Sequence, residues 1–325
     1  MKMAIHVALA ASALAVQLNF TADAQPGPSP YPARPVRMIV PLAPGGGSDI
    51  VGRIVAQALT EHWGKAVVVD NRPGAGSAVG TAIAARAAPD GYTMLVSSSS
   101  IAITPALYKN LDFDVRKDFA GVTLIASQPS MLVVHPSVAA VSVKDLIAVA
   151  SSGKLAYASA GVGSATHLGT ELLLYASNAK MLHVPYKSAG QATSAVLAGE
   201  TQVLLTNMAS VLPHIASGKL KAIGVSSPER SPVAPQVPTL SESGLPAFTY
   251  ATWYGMFVPA RTQPALVEYM QASVLRVLKA PQIAERFTTQ GLQIYASSPG
   301  DFESYLKSEI DKWGKVVKAA DIRVE

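Results

Sequence analysis

The chain has 325 residues, 49% of them hydrophobic and only 14% charged, with a formal net charge of +5 and no cysteine. That composition is too apolar for disorder and long enough for about two domains. The missing cysteine excludes disulfides, thiolate metal sites, a cysteine nucleophile and a lipid-modified N-terminal cysteine, and no basic run or Arg/Lys-rich stripe points to nucleic acid.

Residues 1–24 read as a signal peptide. Lys2 gives a positive start, a mostly apolar run follows from Met3 to Leu18, and Ala22-Asp23-Ala24 supplies an A-x-A site with cleavage expected after Ala24. The run is shorter than the about 20 residues that span a bilayer; the competing reading is a buried N-terminal helix. Lys2 and Asp23 cancel, so removal leaves the charge unchanged.

From Pro35 onward, short β-branched runs alternate with helical periods. Strands are expected at 36–40, 66–69 and 92–96, and helices at 49–62 and 78–88. A second set of strands is expected at 131–134, 155–158, 181–184, 203–206 and 221–225, with helices at 143–151, 166–176, 191–198 and 211–217 between them. Pro228, Pro232, Pro235 and Pro238 make 228–244 a loop. A strand at 253–258 and helices at 265–278, 283–290 and 301–319 close the chain. The alternation predicts an α/β fold of mainly parallel sheets covered on both faces. Two lobes suit the strand count: 32–126 plus 252–325, and 127–251, joined by crossings at 126–130 and 250–254. Trp253, beside the return crossing, is either a reporter of closure or simply core.

In open α/β sheets, ligands gather at the carboxyl ends of strands. Four ends are unusual here: Gly45-Gly46-Gly47-Ser48-Asp49; Asn71 to Ser77; Ser97 to Ser100, with Ser98 and Ser99 at its centre; and Ala160 to His167, holding Gly161, Gly163, Ser164 and Thr166. Asn207, after the strand at 203–206, completes the candidate set. The first and fourth loops share one pattern: glycines, a serine, then an amphipathic helix. A helix start exposes unpaired N–H groups and partial positive charge, and glycine lets an anion approach them. Two such starts facing each other would clamp a small acid. The bland reading is that Ser48, Ser164 or Thr166 cap helices and the glycines only turn. Asp49 reads first as favourable placement at a helix start, and second as a partner for a ligand ammonium or hydroxyl.

Known motifs fail on these loops. Each Gly-Lys pair is followed by an apolar residue rather than Ser or Thr, so no P-loop exists. The glycines after Pro73 only approximate a dinucleotide fingerprint, and no acidic residue follows the next strand to hold a ribose. G-x-S-x-G is absent, and so is H-E-x-x-H or other paired metal spacing among the six histidines. His167, three residues after Ser164, is expected to pack or hydrogen-bond near the helix start. No cofactor and no metal are expected.

Taken in order, "PLAPGGGSD", "NRPGAGSAVG", "PDGYTMLVSSS", "SAGVGSATHLGTE", "HVPYKSAGQA", "GKLKAIGVSSPERSP" and "VPTLSESGLP" resemble the Bug (TctC-like) receptors, the periplasmic solute-binding proteins of tripartite tricarboxylate transporters. The match runs from about Tyr31 to the C-terminus. It implies a two-lobed, type II periplasmic-binding-protein-like fold closing on a small carboxylated ligand. By that resemblance the first and fourth loops bind a ligand carboxylate, largely through main-chain amides and ordered waters. Ser77 stands where many relatives carry glycine, and Thr104 where asparagine is common. The implied protein is a periplasmic, monomeric receptor for a dicarboxylate, tricarboxylate, aromatic acid or acidic amino acid, handing it to integral-membrane transporter subunits. The alternatives are an exported α/β hydrolase acting on a similar acid and a structural or interaction protein. Because neither clamp loop contains Arg or Lys, with Arg72 the nearest loop cation, binding is expected to rest on amides. A branched side chain at Gly46 or Gly163 would then obstruct it.

Overall fold

The computed structural model describes residues 31–319 and 322, apart from 152 and 247; the expected signal peptide lies outside the described residues. The chain begins β1 (Val36–Val40), α1 (Gly47–Trp63), β2 (Val67–Asn71), α2 (Ala78–Ala85), β3 (Thr93–Ser98), α3 (Ser100–Leu107) and α4 (Val115–Asp118). β1 is a continuous apolar run because both of its faces are covered, with Val36, Met38, Ile39 and Val40 all buried. α1 lays Val51, Ile54, Val55 and Leu59 against it. The helix stops at Gly64, whose left-handed φ of 65° returns its N–H to Thr60 O.

Then comes β4 (Phe119–Val134), 16 residues long, followed by α5 (Val143–Ala150), β5 (Ala156–Ser159), α6 (Ala165–Ser177), β6 (Leu182–Pro185), α7 (Ala189–Leu197), β7 (Val203–Asn207), α8 (Met208–Ala216) and β8 (Lys221–Val225). After the proline-rich loop, β9 (Ala251–Pro259), α9 (Pro264–Leu278), α10 (Pro281–Thr289), β10 (Gln293–Ile294) and α11 (Pro299–Ala319) complete the order.

The strands run β2-β1-β3-β9-β4-β7-β5-β6, with β8 and β10 also paired to β4. The early part of β4 pairs with β9 and β10, and the later part with β7 and β8, so one strand serves two sheet regions. β1–β2, β1–β3, β5–β6 and β5–β7 are parallel, as the strand–helix alternation predicts. The strands that carry the chain across are antiparallel to their neighbours, which makes each region mixed rather than mainly parallel. The reason is topological: a chain that leaves along β4 must return along β9 in the opposite sense. The two segments read as crossings meet in register here, Ala126 opposite Tyr254, Ser127 opposite Trp253 and Pro129 opposite Ala251.

One buried cluster extends through both sheet regions, from Ile39 and Phe302 to Tyr157 and Val203, while two others keep to one region each. α11 covers the crossed pair. Gly255 of β9 gives Phe302 its place, since a Cβ there would come 2.2 Å from the ring. Two turns further along α11, the buried carboxylate of Glu309 accepts from the indole N–H of Trp253 at 2.9 Å and of Trp313 at 3.2 Å, and pairs with Lys312. Trp253 is therefore core. Replacing Glu309 by alanine strands two buried indole donors, and chemical denaturation is expected to read a loss of about 2–5 kcal/mol; an unchanged midpoint would remove Glu309 from the lock between α11 and β9.

Candidate ligand-binding site

The first glycine loop follows β1. Gly46 caps α1 with extended backbone, φ −81° and ψ 168°. Ile50 N returns to Gly46 O and Gly45 N donates to Asp49 Oδ2, leaving the N–H groups of Gly46, Gly47, Ser48 and Asp49 without partners among the described residues. The buried Ser48 hydroxyl has none either. Asp49 is turned back into the loop. Its Oδ2 also accepts from Arg53 Nε at 2.9 Å, and its Oδ1 accepts from Asn71 Nδ2 at 3.0 Å. Burial pushes the Asp49 carboxyl up, but the hydrogen bonds from Arg53, Gly45 and Asn71 outweigh it and hold it below the usual range. These contacts favour the structural reading of Asp49. Gly47 is glycine for a separate reason: a Cβ would sit 2.0 Å from the Tyr254 hydroxyl.

The second glycine loop follows β5. Gly161 N donates to Ser159 Oγ at 3.1 Å and Gly163 N donates to His167 Nδ1 at 3.1 Å, so neither glycine amide is open to a ligand. Ser164 caps α6, accepting from His167 N. Thr166 Oγ1 accepts from Ala160 N at 2.8 Å. The N–H groups of Ala165 and Thr166, in the first turn of α6, have no partner among the described residues and are the donors this loop offers. His167 does bond at the helix start, as expected, but to the loop ahead of it.

At the end of β3, Ser98 Oγ and Ser100 Oγ lie 3.0 Å apart, while the buried hydroxyls of Ser97 and Ser99 are unpartnered. At the end of β7 the Thr206 hydroxyl is buried and unpartnered too. Asn207 stands near Tyr254, whose hydroxyl burial pushes up and the Asn207 side chain pulls partly back. Tyr254 thus lies between two ends, packed against Gly47 on one side and near Asn207 on the other. Across the second loop, Gly163 lies against Leu107 of α3, where a Cβ would meet Leu107 Cδ1 at 2.7 Å. Ser77 and Thr104, the two departures from the family pattern, are partners: their hydroxyls lie 3.3 Å apart and Thr104 Oγ1 donates to Gly76 O. Ser77 has φ +91°, the region that favours the glycine expected there.

Sequence reasoning missed Tyr254, Thr206, Tyr157 and His183. Tyr254 lay inside a crossing segment and carried a positional signal; the others carried none beyond strand membership. Arg72 is tied to Asp70, Nε to Oδ1 at 2.9 Å. Two cavities, about 490 Å³ beside Trp63 and Tyr269 and about 870 Å³ beside the 226–233 loop and α11, are lined by other residues than the glycine loops. Among the described residues no group of three or more His, Asp or Glu is placed to hold a metal.

Beneath the second loop, burial, with the nearby His183, pushes the His167 imidazole down to about 3, and burial lowers His183 also. A folded state that binds fewer protons than the unfolded chain loses stability as pH falls, here from about 6.5 toward 3, by up to about 1.4 kcal/mol per unit for each fully shifted histidine. Denaturation midpoints across pH 7 to 4 should fall on acidification, less steeply in His167→Phe; equal slopes would contradict the buried neutral histidine.

The family model described as "Tripartite tricarboxylate transporter family receptor" (TctC) matches residues 51–322. Three solved structures are similar throughout. A Rhodopseudomonas palustris protein with adipate (R. palustris Rpa4515) is 29% identical over 90% of this chain and 99% of its own, TM-score 0.83. The periplasmic binding protein BugD is 31% identical over 91% and 100%, TM-score 0.81. MatC from Rhodopseudomonas palustris with bound malate is 29% identical over 88% and 100%, TM-score 0.80.

Proposed function

This chain belongs to the tripartite tricarboxylate transporter receptor family, and on that premise we propose that it captures a small dicarboxylate in the periplasm and presents it, as a monomer, to integral-membrane transporter subunits. It is a solute-binding receptor with an α/β, periplasmic-binding-protein-like fold, not the exported hydrolase that was the alternative. The lobes of the proposal are 32–126 with 252–325, and 127–251, hinged where β4 and β9 cross. The chemical class follows from relatives whose structures hold adipate and malate, both linear dicarboxylates.

One observation carries the reading: two helix starts, α1 and α6, keep N–H groups with no partner among the described residues, while the amides of Gly45, Gly161 and Gly163 in the loops ahead of them are bonded inward. An anion is the partner such groups lack. One ligand carboxylate would take the Gly46–Ser48 amides and the Ser48 hydroxyl, with the Ala165 and Thr166 amides facing it across the cleft. Ser99 and Thr206 hydroxyls would take the rest of the ligand, and the Ser77–Thr104 pair would help wall its far end. Asp49 shapes the α1 loop, and Gly161 and Gly163 shape the α6 loop.

Gly46 is the clean place to test the amide clamp. Its backbone is extended and an added Cβ would meet only Ala43 O, at 3.5 Å, so a side chain can start there without backbone strain. Gly163, with φ +77° and Leu107 against it, would report strain instead. Titration calorimetry with succinate, malate and adipate should show 1:1 binding without turnover. Gly46→Val should weaken it at least about tenfold, or 1.4 kcal/mol, and Arg72→Ala less. A folded Gly46 variant of unchanged affinity beside an Arg72 variant that no longer binds would overturn the clamp.

Two half-sites that both touch a small acid require a narrow cleft, so ligand should select a closed state. Small-angle scattering is expected to give a smaller radius of gyration with saturating dicarboxylate; equal radii would contradict closure about the crossing.

A further inference from the structure

Below the second loop lies a polar stack that offers nothing directly to a ligand. The His167 and His183 rings stack at 4.1 Å between centroids, and the Tyr157 ring stacks on His183 at 4.8 Å. Tyr157 donates its hydroxyl to Glu171 Oε1. That carboxylate oxygen lies 3.9 Å from His167 Nε2. Because His167 Nδ1 accepts from Gly163 N, the ring is neutral and its proton sits on Nε2, toward Glu171. His183 Nε2 lies 2.7 Å from Ser159 Oγ, the atom that receives Gly161 N. The Gly163 amide is therefore held by a ring of the stack, and the Gly161 amide by a serine that the stack contacts.

We propose that Tyr157, Glu171 and His167, with His183 and Ser159 beside them, are positioning residues that set the anion-binding shape of the 160–166 loop. The inference rests on the receptor reading above. Gly161 and Gly163 adopt φ +112° and +77°, so the loop carries no intrinsic preference for one shape. Tying both amides inward does two things. It removes them as competing anion sites, and it fixes Gly163 against Leu107 so that the Ala165 and Thr166 amides stay free at the helix start. Tyr157 orients Glu171, Glu171 orients the His167 proton, and the opposite nitrogen is left as an acceptor. Protonating His167 would convert that acceptor into a donor and release Gly163. The titratable groups that face it are Glu171 on its own helix, Tyr157 on β5 and His183 on β6.

The test separates acceptor from ring. His167→Phe keeps a stacked ring without an acceptor; His167→Asn keeps an acceptor near Nδ1 without the ring. With the acid of a succinate, malate and adipate panel that binds wild type best, His167→Phe should lose about tenfold in affinity and His167→Asn no more than about threefold. The Gly163 amide should exchange fast in the first and slowly in the second, by hydrogen-exchange NMR on the free protein. Asparagine losing as much as phenylalanine, or a phenylalanine variant with wild-type affinity and a protected Gly163 amide, overturns the proposal. If His167→Phe does not fold, Tyr157→Phe takes its place: faster Gly163 exchange supports the relay and unchanged exchange overturns it. Wild type that binds none of the panel counts against the dicarboxylate reading alone, because Gly163 exchange still decides the positioning role.

Discussion

The antiparallel pairing of β4 with β9 is the constraint on which the other features depend. Because side chains alternate along a strand, consecutive residues at the centre of β9 do opposite work. Trp253 goes to one face, where Glu309 ties it to α11. Tyr254 goes to the other, where it fills the space left by Gly47 near Asn207. A shift of one residue in that register would exchange the two, burying a tyrosine against α11 and withdrawing the hydroxyl that packs against Gly47.

The charges near the proposed clamp are arranged to stay out of it. Arg53 pairs with Asp49, while Arg37 and Arg72 both pair with Asp70. Asp49, the one acid at the start of α1, has its charge drawn back by three donors. An anion there would meet neutral amides and hydroxyls, whose dipoles are fixed by the fold and need little reorganisation on binding. Recognition of this kind depends on shape, since a displaced amide cannot be replaced by a flexible cation swinging in from elsewhere.

Most of the α/β alternation was legible because β-branched runs and helical periods are local. β1 and β8 fall where the sequence places them, and α1 extends its expected helix by only a few residues at the start. The first three-quarters of β4 was not legible, because Gly121, Gln128 and Pro129 interrupt its apolar pattern, and those residues are tolerated by bulges and by the end of the β9 ladder. α3 was hidden by a run of serines and by Pro105 inside it. At the site, the glycine–serine signature pointed to the right loops but could not say which amides were spent internally. That division depends on His167 and Ser159, whose bonds exist only once β5, β6 and α6 have come together.

The register of the crossing also bears on the order in which the chain can become complete. β3 takes its second neighbour from β9, and α11, which covers the crossing, ends at Ala319. During synthesis, β1, β2 and β3 emerge early but present an open edge along β3 until Pro259 has been made. The intervening segment enters and leaves at paired residues, Ser127 beside Trp253, so it can form its own sheet region while the earlier one waits. An N-terminal fragment that stops before β9 is therefore an unfinished sheet, open along β3.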